Sequence, residues 1–335
     1  MQGSRTWSNP GAFADGFPGV CATFVTAAFS FSGTELVGLA AAESATPQKS
    51  LPGAVKQVFW RITLFYILSL TFVGLLIPYD DERLLGSGAF IDVSTSPFVI
   101  VAVDAGIPAF GDFVNAVILM AVISIGLSGV YGGSRTLTAL AEQGYAPKVF
   151  AYIDRAGRPL WSTIAIIGCS PLAFITLAST GVEVFNWLVA LSGLAALFTW
   201  GSICFAHIRF RAAWKYHGHS TDELPFKAVF GVYGSWVGFI LIILVLIAQF
   251  YVAIRPMTAY DFFYSYLAAF VVVFFYICGY FWKKKTHPGS KPGFLKLSQI
   301  DVDSGRRELD WEAFEAEKRR VQNFGAFRKA INKVF

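Results

Sequence analysis

Charge is what this sequence has least of. Lys and Arg number 27 and Asp and Glu 22 in 335 residues, 15% in all, against 55% hydrophobic residues. A soluble domain carries about 25% charged residues, so a water-soluble globule is excluded. Cysteine is scarce as well. Cys21, Cys169, Cys204 and Cys278 each fall in a different apolar stretch, with no CxxC pair and no histidine at metal-ligand spacing. They read as four buried thiols rather than a metal site. Enzyme signatures are missing too: there is no GxSxG, HExxH, Walker A, dinucleotide fingerprint or zinc spacing, and His207, His217, His219 and His287 lie at the edges of apolar stretches or in the tail. The sequence therefore gives no ground for an enzyme and calls for no cofactor and no metal. Residues 1–15 lack the basic start and short apolar core of a secretory signal.

What is present is length without charge. Seven stretches contain no Asp, Glu, Lys or Arg: residues 16–34, 62–79, 113–134, 159–182, 184–208, 228–254 and 262–282. The shortest has 18 residues and the longest 27. About 20 apolar residues at 1.5 Å rise cover the roughly 30 Å hydrocarbon core, so each is long enough to span a bilayer as a helix. The fold class this predicts is an all-α polytopic membrane protein with seven transmembrane helices, organised as an N-terminal segment (1–15), a membrane domain (16–282) and a basic tail (283–335). The tail holds 13 Lys and Arg against 7 Asp and Glu, while residues 1–282 hold 14 against 15. A basic tail attached to a lipid-committed chain points to the anionic cytoplasmic leaflet as its neighbour and not to nucleic acid.

Alternate loops differ in Lys and Arg. One set carries Lys49, Lys56, Arg61, Lys148, Arg155, Arg158, Arg209, Arg211, Lys215, Lys227 and Lys283 to Lys285; the other carries Arg5, Arg83 and Arg255. The positive-inside rule puts the first set and the tail in the cytoplasm, and residues 1–15 outside. An exterior N-terminus fits either a seven-span chain or a longer protein lacking an odd number of leading helices. Within the tail, residues 309–331 place Trp311, Phe314, Val321, Phe324 and Phe327 among charges at roughly helical spacing, which fits a membrane-surface helix or a solvated tail.

The segment richest in chemistry is Phe29-Ser30-Phe31-Ser32-Gly33-Thr34-Glu35. Hydroxyls that compete for backbone groups, next to glycine, weaken a helix in mid-span. Broken helices at membrane depth persist where the freed groups face protein, water or ligand, as in transporters; a small-residue packing face is the other reading. Glu35 is the only acidic residue between Asp15 and Glu43. An intramembrane carboxylate is costly unless paired, hydrated or protonated, and an apolar setting favours the protonated form that a proton-carrying group uses. A structural hydrogen bond near the cytoplasmic end is the alternative for Glu35. Gly126, Ser128, Gly129, Gly132, Gly133 and Ser134 let another backbone or a substrate approach closely, with tight helix packing the simpler account.

Several of these segments together resemble fungal amino-acid permeases, especially the general amino-acid permease type. They are residues 29–43 (FSFSGTELVGLAAAE), 57–68 (QVFWRITLFYIL), 96–99 (SPFV), 134–140 (SRTLTAL), 184–210 (VFNWLVALSGLAALFTWGSICFAHIRF), 248–253 (AQFYVA) and 301–308 (DVDSGRRE). The resemblance runs over nearly the whole chain. It implies membership of the amino acid, polyamine and organocation superfamily, whose twelve helices begin with two inverted repeats of five. On that pattern the seven spans look like helices six to twelve, and helices one to five have no counterpart in this sequence.

The resemblance also implies roles for single residues. The backbone carbonyls of the unwound helix six that cup a substrate's α-amino group correspond to Phe29, Ser30, Phe31 and Ser32, with Gly33 permitting the break. Phe29 takes the place of an aromatic that closes over substrate, and Glu35 that of the acid in the FSGxE motif, the proton-coupling candidate. Ser128, Gly129 and Tyr131 correspond to the facing residues of helix eight. The family commonly ends in Phe-Trp-Cys, whereas this chain ends Asn332-Lys333-Val334-Phe335. The expected function is proton-coupled import of amino acids across the plasma membrane, as the C-terminal part of a permease, with amino acid, protons and the lipid bilayer as partners. The rival expectation is a truncated, non-transporting membrane protein that acts as sensor or partner of full-length permeases.

Overall fold

Where no water is at hand, a chain satisfies its backbone polar groups internally, and a helix does so segment by segment. The computed structural model describes residues 7–8, 11, 13, 15–43, 47–85, 96–177, 181–224, 227–228, 230–255, 258–286 and 295–304. Among the described residues every regular element is helical: α1 (Gly16–Phe31), α2 (Leu36–Glu43), α3 (Pro47–Leu76), α4 (Glu82–Leu85), α5 (Pro97–Asp104), α6 (Pro108–Glu142), α7 (Leu160–Gly168), α8 (Gly181–Tyr216), α9 (Gly231–Ala253) and α10 (Ala259–Thr286). Short 3-10 segments occur at Lys148–Ala151, Ser170–Leu177, Thr221–Glu223 and Leu297–Gln299. The pattern read over 309–331 lies outside the described residues.

Six helical stretches are long and apolar enough to cross a membrane: Gly16–Ala40, Ser50–Leu76, Ala109–Glu142, Glu183–Tyr216, Gly231–Ala253 and Ala259–Lys285. They coincide with six of the seven charge-free stretches. The remaining one, residues 159–182, is built from two pieces: α7, a turn at Cys169, and the 3-10 segment Ser170–Leu177. Pro171 accounts for the change, because it has no N–H for the carbonyl one turn back and disfavours α geometry at Ser170. The 9 residues of α7 and the 8 of the 3-10 segment have a combined contour of about 30 Å.

The helices form two compact units. One comprises Met1–Gly33, Ile67–Thr199 and Ile242–Pro292; the other Thr34–Tyr66, Trp200–Leu241 and Gly293–Phe335. In the first unit α6 packs on α5, on α7 and on Lys148–Ala151. A buried polar relay ties these together: the Thr138 hydroxyl donates to Ser162 Oγ at 2.9 Å, and the Ser162 hydroxyl donates to the Phe150 carbonyl at 2.9 Å. Trp7 Nε1 donates to the Gly74 carbonyl at the end of α3 at 2.8 Å. α1 meets α8 at Gly193, where the two backbones close to a separation no side chain could occupy. In the second unit α8 and α9 are joined by His207 Nδ1 and Ser235 Oγ, 2.7 Å apart.

The distribution of side chains on α9 decides which solvent this fold is built for. The helix buries Gln249 and Ala253 and leaves Val237, Leu241, Leu244 and Ile247 more than half exposed. Water would penalise that pattern, whereas lipid tails are as apolar as leucine and reward small and polar residues between helices. The same inversion corrects the reading of the cysteines. Cys21 is buried, Cys204 is half-buried, and Cys169 and Cys278 are exposed; a thiol on an outward helix face avoids water without entering the protein interior.

A methyl group on Gly193 would lie 2.6 Å from the Val25 carbonyl oxygen and 2.9 Å from its Cγ1. Gly193→Ala is therefore expected to destabilise the first unit by about 1–3 kcal/mol, read as a lowered thermal midpoint in detergent. Gly279→Ala, at a position inside α10 with nothing within 4 Å of the added carbon, is expected not to lower the midpoint and to raise it slightly, by the equivalent of about 0.5–1 kcal/mol of helix propensity.

Candidate functional site

The first span is interrupted where the sequence weakens it. Ser30 Oγ donates back to the Thr26 carbonyl at 3.0 Å, a bond that competes for an acceptor of the helix and bends it. Ser32 then leaves helical geometry at φ −59° and ψ 143°, while its N–H closes a tight turn onto Phe29 O at 3.1 Å. Gly33 follows at φ +96°, a conformation that costs any other residue a clash at Cβ. Helical pairing resumes with Val37 N–H to Thr34 O at 3.4 Å and Gly38 N–H to Glu35 O at 3.0 Å. Ser32 to Glu35 thus form a four-residue turn between α1 and α2.

The two sides of this turn belong to different units, so each has its own surroundings. Phe29, Ser30, Phe31, Ser32 and Gly33 fall in the first unit. The Phe29 side chain is 41% exposed, and its Cβ lies 3.4 Å from where a side chain at Gly193 would begin. Gly193 is therefore the α8 residue that lets the last turns of α1 come close. Thr34 and Glu35 fall in the second unit, where Glu35 Oε2 accepts a hydrogen bond from the Trp200 indole N–H at 3.1 Å. Glu35 is only partly exposed, so this donor from α8 fixes where its carboxylate points.

The facing residues expected on α6 sit in the first unit with partners of their own. Ser128 Oγ donates to Ser124 O at 2.9 Å. Gly129 has nothing within 4 Å of a built Cβ. The Tyr131 ring lies 4.0 Å beneath the Arg135 guanidinium, a cation–π contact. Each of these contacts stays within α6, so none of them draws the three residues to the break. A separate cleft of about 500 Å³ opens between Phe72 and Leu76 of α3, Phe98 and Val101 of α5, and Ile107 and Phe110 at the start of α6. Its lining is apolar apart from Ser69 and contains none of the candidates.

Two contributors went unread in the sequence, Trp200 and Gly193. The signal for Trp200 was available: an indole N–H in an apolar helix must find an acceptor, and Glu35 is the single carboxylate of its segment. Gly193 offered no comparable signal, since its role comes from a close approach that only three dimensions reveal. Among the described residues no group of three or more His, Cys, Asp and Glu is arranged to hold a metal ion.

Long apolar helices with outward leucines, one of them broken around a carboxylate, define a polytopic helical membrane protein. Residues 1–290 match the amino acid permease family. Curated relatives include the amino-acid permease inda1 of Hypocrea atroviridis, 58% identical over 99% of this chain and 58% of that protein. The general amino-acid permease GAP1 of Saccharomyces cerevisiae is 48% identical over 94% of this chain and 53% of its own length, and the amino-acid permease GAP5 of Candida albicans is 49% identical over 94% and 50%. The chain belongs to the amino acid permease family, and it spans between 50% and 58% of the length of these relatives. No solved structure matches it.

Gly33→Ala is expected to cost about 1–2 kcal/mol, because the substituted residue would have to hold a positive φ. A thermal midpoint equal to that of the unsubstituted chain would show that the turn does not require glycine.

Proposed function

We propose that this chain forms part of a permease that imports amino acids across the plasma membrane together with protons. In this reading residues 16–282 are the membrane domain, residues 1–15 lie outside, and residues 283–335 lie in the cytoplasm. The observation that carries the reading is the interrupted span, with α1 ending at Phe31, Gly33 at φ +96° and α2 beginning at Leu36. The C-terminal end of a half-helix presents carbonyl oxygens and about half a unit of negative charge. That is the complement of an α-ammonium group, and it lies at Phe29, Ser30, Phe31 and Ser32. The exposed Phe29 ring supports a role in covering the bound substrate, and Ser128, Gly129 and Tyr131 of α6 are proposed as the opposing wall. The printed names of the relatives support amino acids as the cargo.

Glu35 supplies the proton-accepting group in this scheme. The Trp200 indole N–H, donating to its Oε2 at 3.1 Å, orients the carboxyl group. One proton moving down the potential brings about 2.3 kcal/mol per 100 mV, enough for substantial accumulation of a neutral solute.

The test is uptake of a labelled amino-acid mixture by cells lacking their own permeases, expressing this chain preceded by the N-terminal part of a relative such as inda1. Accumulation that rises as the external pH falls is expected, and Glu35→Gln should abolish that pH dependence. Phe29→Ala should raise the half-saturation constant about tenfold, the equivalent of roughly 1.4 kcal/mol. Surface expression without uptake would remove the transport reading. Uptake with unaltered pH dependence in Glu35→Gln would remove Glu35 from the coupling.

A further inference from the structure

The connection after α6 meets the end of α10, and the meeting gathers charge of one sign. α6 gives way to Gly144 at φ +79°, a helix-terminating conformation that leaves its carbonyl outside the helix ladder. The Trp282 indole N–H takes that carbonyl at 2.8 Å. The next residue of α10, Lys283, donates its ammonium to the Tyr145 hydroxyl at 3.0 Å and sits 5.5 Å from the centroid of that ring. Two segments 138 positions apart are thereby pinned together. The 3-10 segment Lys148–Ala151 that follows is held in turn against α6 and α7, all within the first unit.

Residues 142–158 and 282–285 carry six Lys and Arg against two carboxylates, Glu142 and Asp154, a net +4. Asp154 is engaged by its own turn: Oδ1 accepts from the Ala156 and Arg158 backbone N–H groups at 2.9 and 2.7 Å, and Oδ2 from Arg158 Nε at 2.9 Å. Lys148, Arg155, Lys284 and Lys285 are exposed, and among the described residues none of them has a carboxylate partner. Beside them Val149, Tyr152 and Ile153 are each about half exposed. Apolar side chains interleaved with cations suit the boundary between acyl chains and headgroups, where the first enter lipid and the second meet phosphate. Snorkelling brings a single cation to that level, but it does not call for two distant segments to be fastened to each other there.

We propose that the Lys148 turn and the end of α10 form a binding site for the headgroup of a phosphoinositide, a lipid whose several phosphate charges match the unpaired cations of this pinned surface. Two phosphomonoester groups bring about −3 to −4 at pH 7, close to the local excess of positive charge, whereas a headgroup of charge −1 leaves most of the cations unanswered. The orientation proposed above turns this surface to the cytoplasmic leaflet, the one that carries anionic lipids.

The test is a fluorescence-anisotropy titration of a dye-labelled, short-chain phosphatidylinositol bisphosphate with the full chain in phosphatidylcholine nanodiscs, corrected for empty discs. Saturable binding is expected. Lys148→Gln, Lys284→Gln and Lys285→Gln together should weaken it about a hundredfold, at about fivefold for each cation near a membrane surface. Arginine at the same three positions should retain it. Glutamine in place of Lys318, Arg319 and Arg320 removes the same charge from the tail and should leave binding unchanged. Phosphatidylserine at equal total charge, and the acyl-free inositol phosphate at equal concentration, should fail to displace the probe. Discs present both membrane faces and the readout is binding, so the result stands apart from whether the chain transports. Absence of saturable binding, equal loss in the two glutamine variants, or displacement by phosphatidylserine would leave only a diffuse basic field and overturn the proposal. Displacement by the acyl-free inositol phosphate would mean a site for soluble anions and would overturn its assignment to a lipid.

Discussion

In a membrane every backbone N–H and C=O must find its partner within the protein, at several kcal/mol for each one left without. Most of this chain meets that constraint with uninterrupted helices. Where α1 gives way to α2, it does so with a four-residue turn, and the exception shapes what surrounds it. Ser30 bonds back into its own helix, Ser32 closes onto Phe29, and glycine takes the one conformation that other residues avoid. The carboxylate that follows receives its donor from Trp200 on α8. The turn is thus held by local bonds on one side, and on the other the Trp200 indole ties it to α8.

The remaining packing obeys the same solvent logic. α9 turns leucine and isoleucine outward and glutamine and alanine inward, and α6 is fastened to α7 by the hydroxyls of Thr138 and Ser162. Glycine at position 193 lets α1 and α8 approach to backbone contact. Lipid offers no hydrophobic gain for bringing helices together, so small residues and hydrogen bonds supply the attraction instead.

How much of this could be read in the chain beforehand depends on the range of the interaction concerned. The helices were legible because a bilayer imposes a length on any charge-free run, and the break was legible because Ser30, Ser32 and Gly33 act on their own backbone. The division of residues 159–182 at Pro171 was missed because freedom from charge does not report helix type. The assignment of all four cysteines to the interior failed at Cys169 and Cys278, because in lipid an apolar side chain can face either way. The pairing of Glu35 with Trp200 joins residues 165 positions apart; the indole's need for an acceptor hinted at it, but no local spacing says which carboxylate it reaches.

The central claim is that the first span is broken at Ser32 to Glu35. Residue-resolved amide hydrogen exchange of the full chain in lipid nanodiscs tests it most directly. The account predicts strong protection along α1 up to Phe31, exchange at residues 32–35 at least tenfold faster than in the adjoining turns, on the order of 1.4 kcal/mol, and protection restored in α2. Uniform protection from Gly16 through Ala40 would mean a continuous helix and would contradict the account.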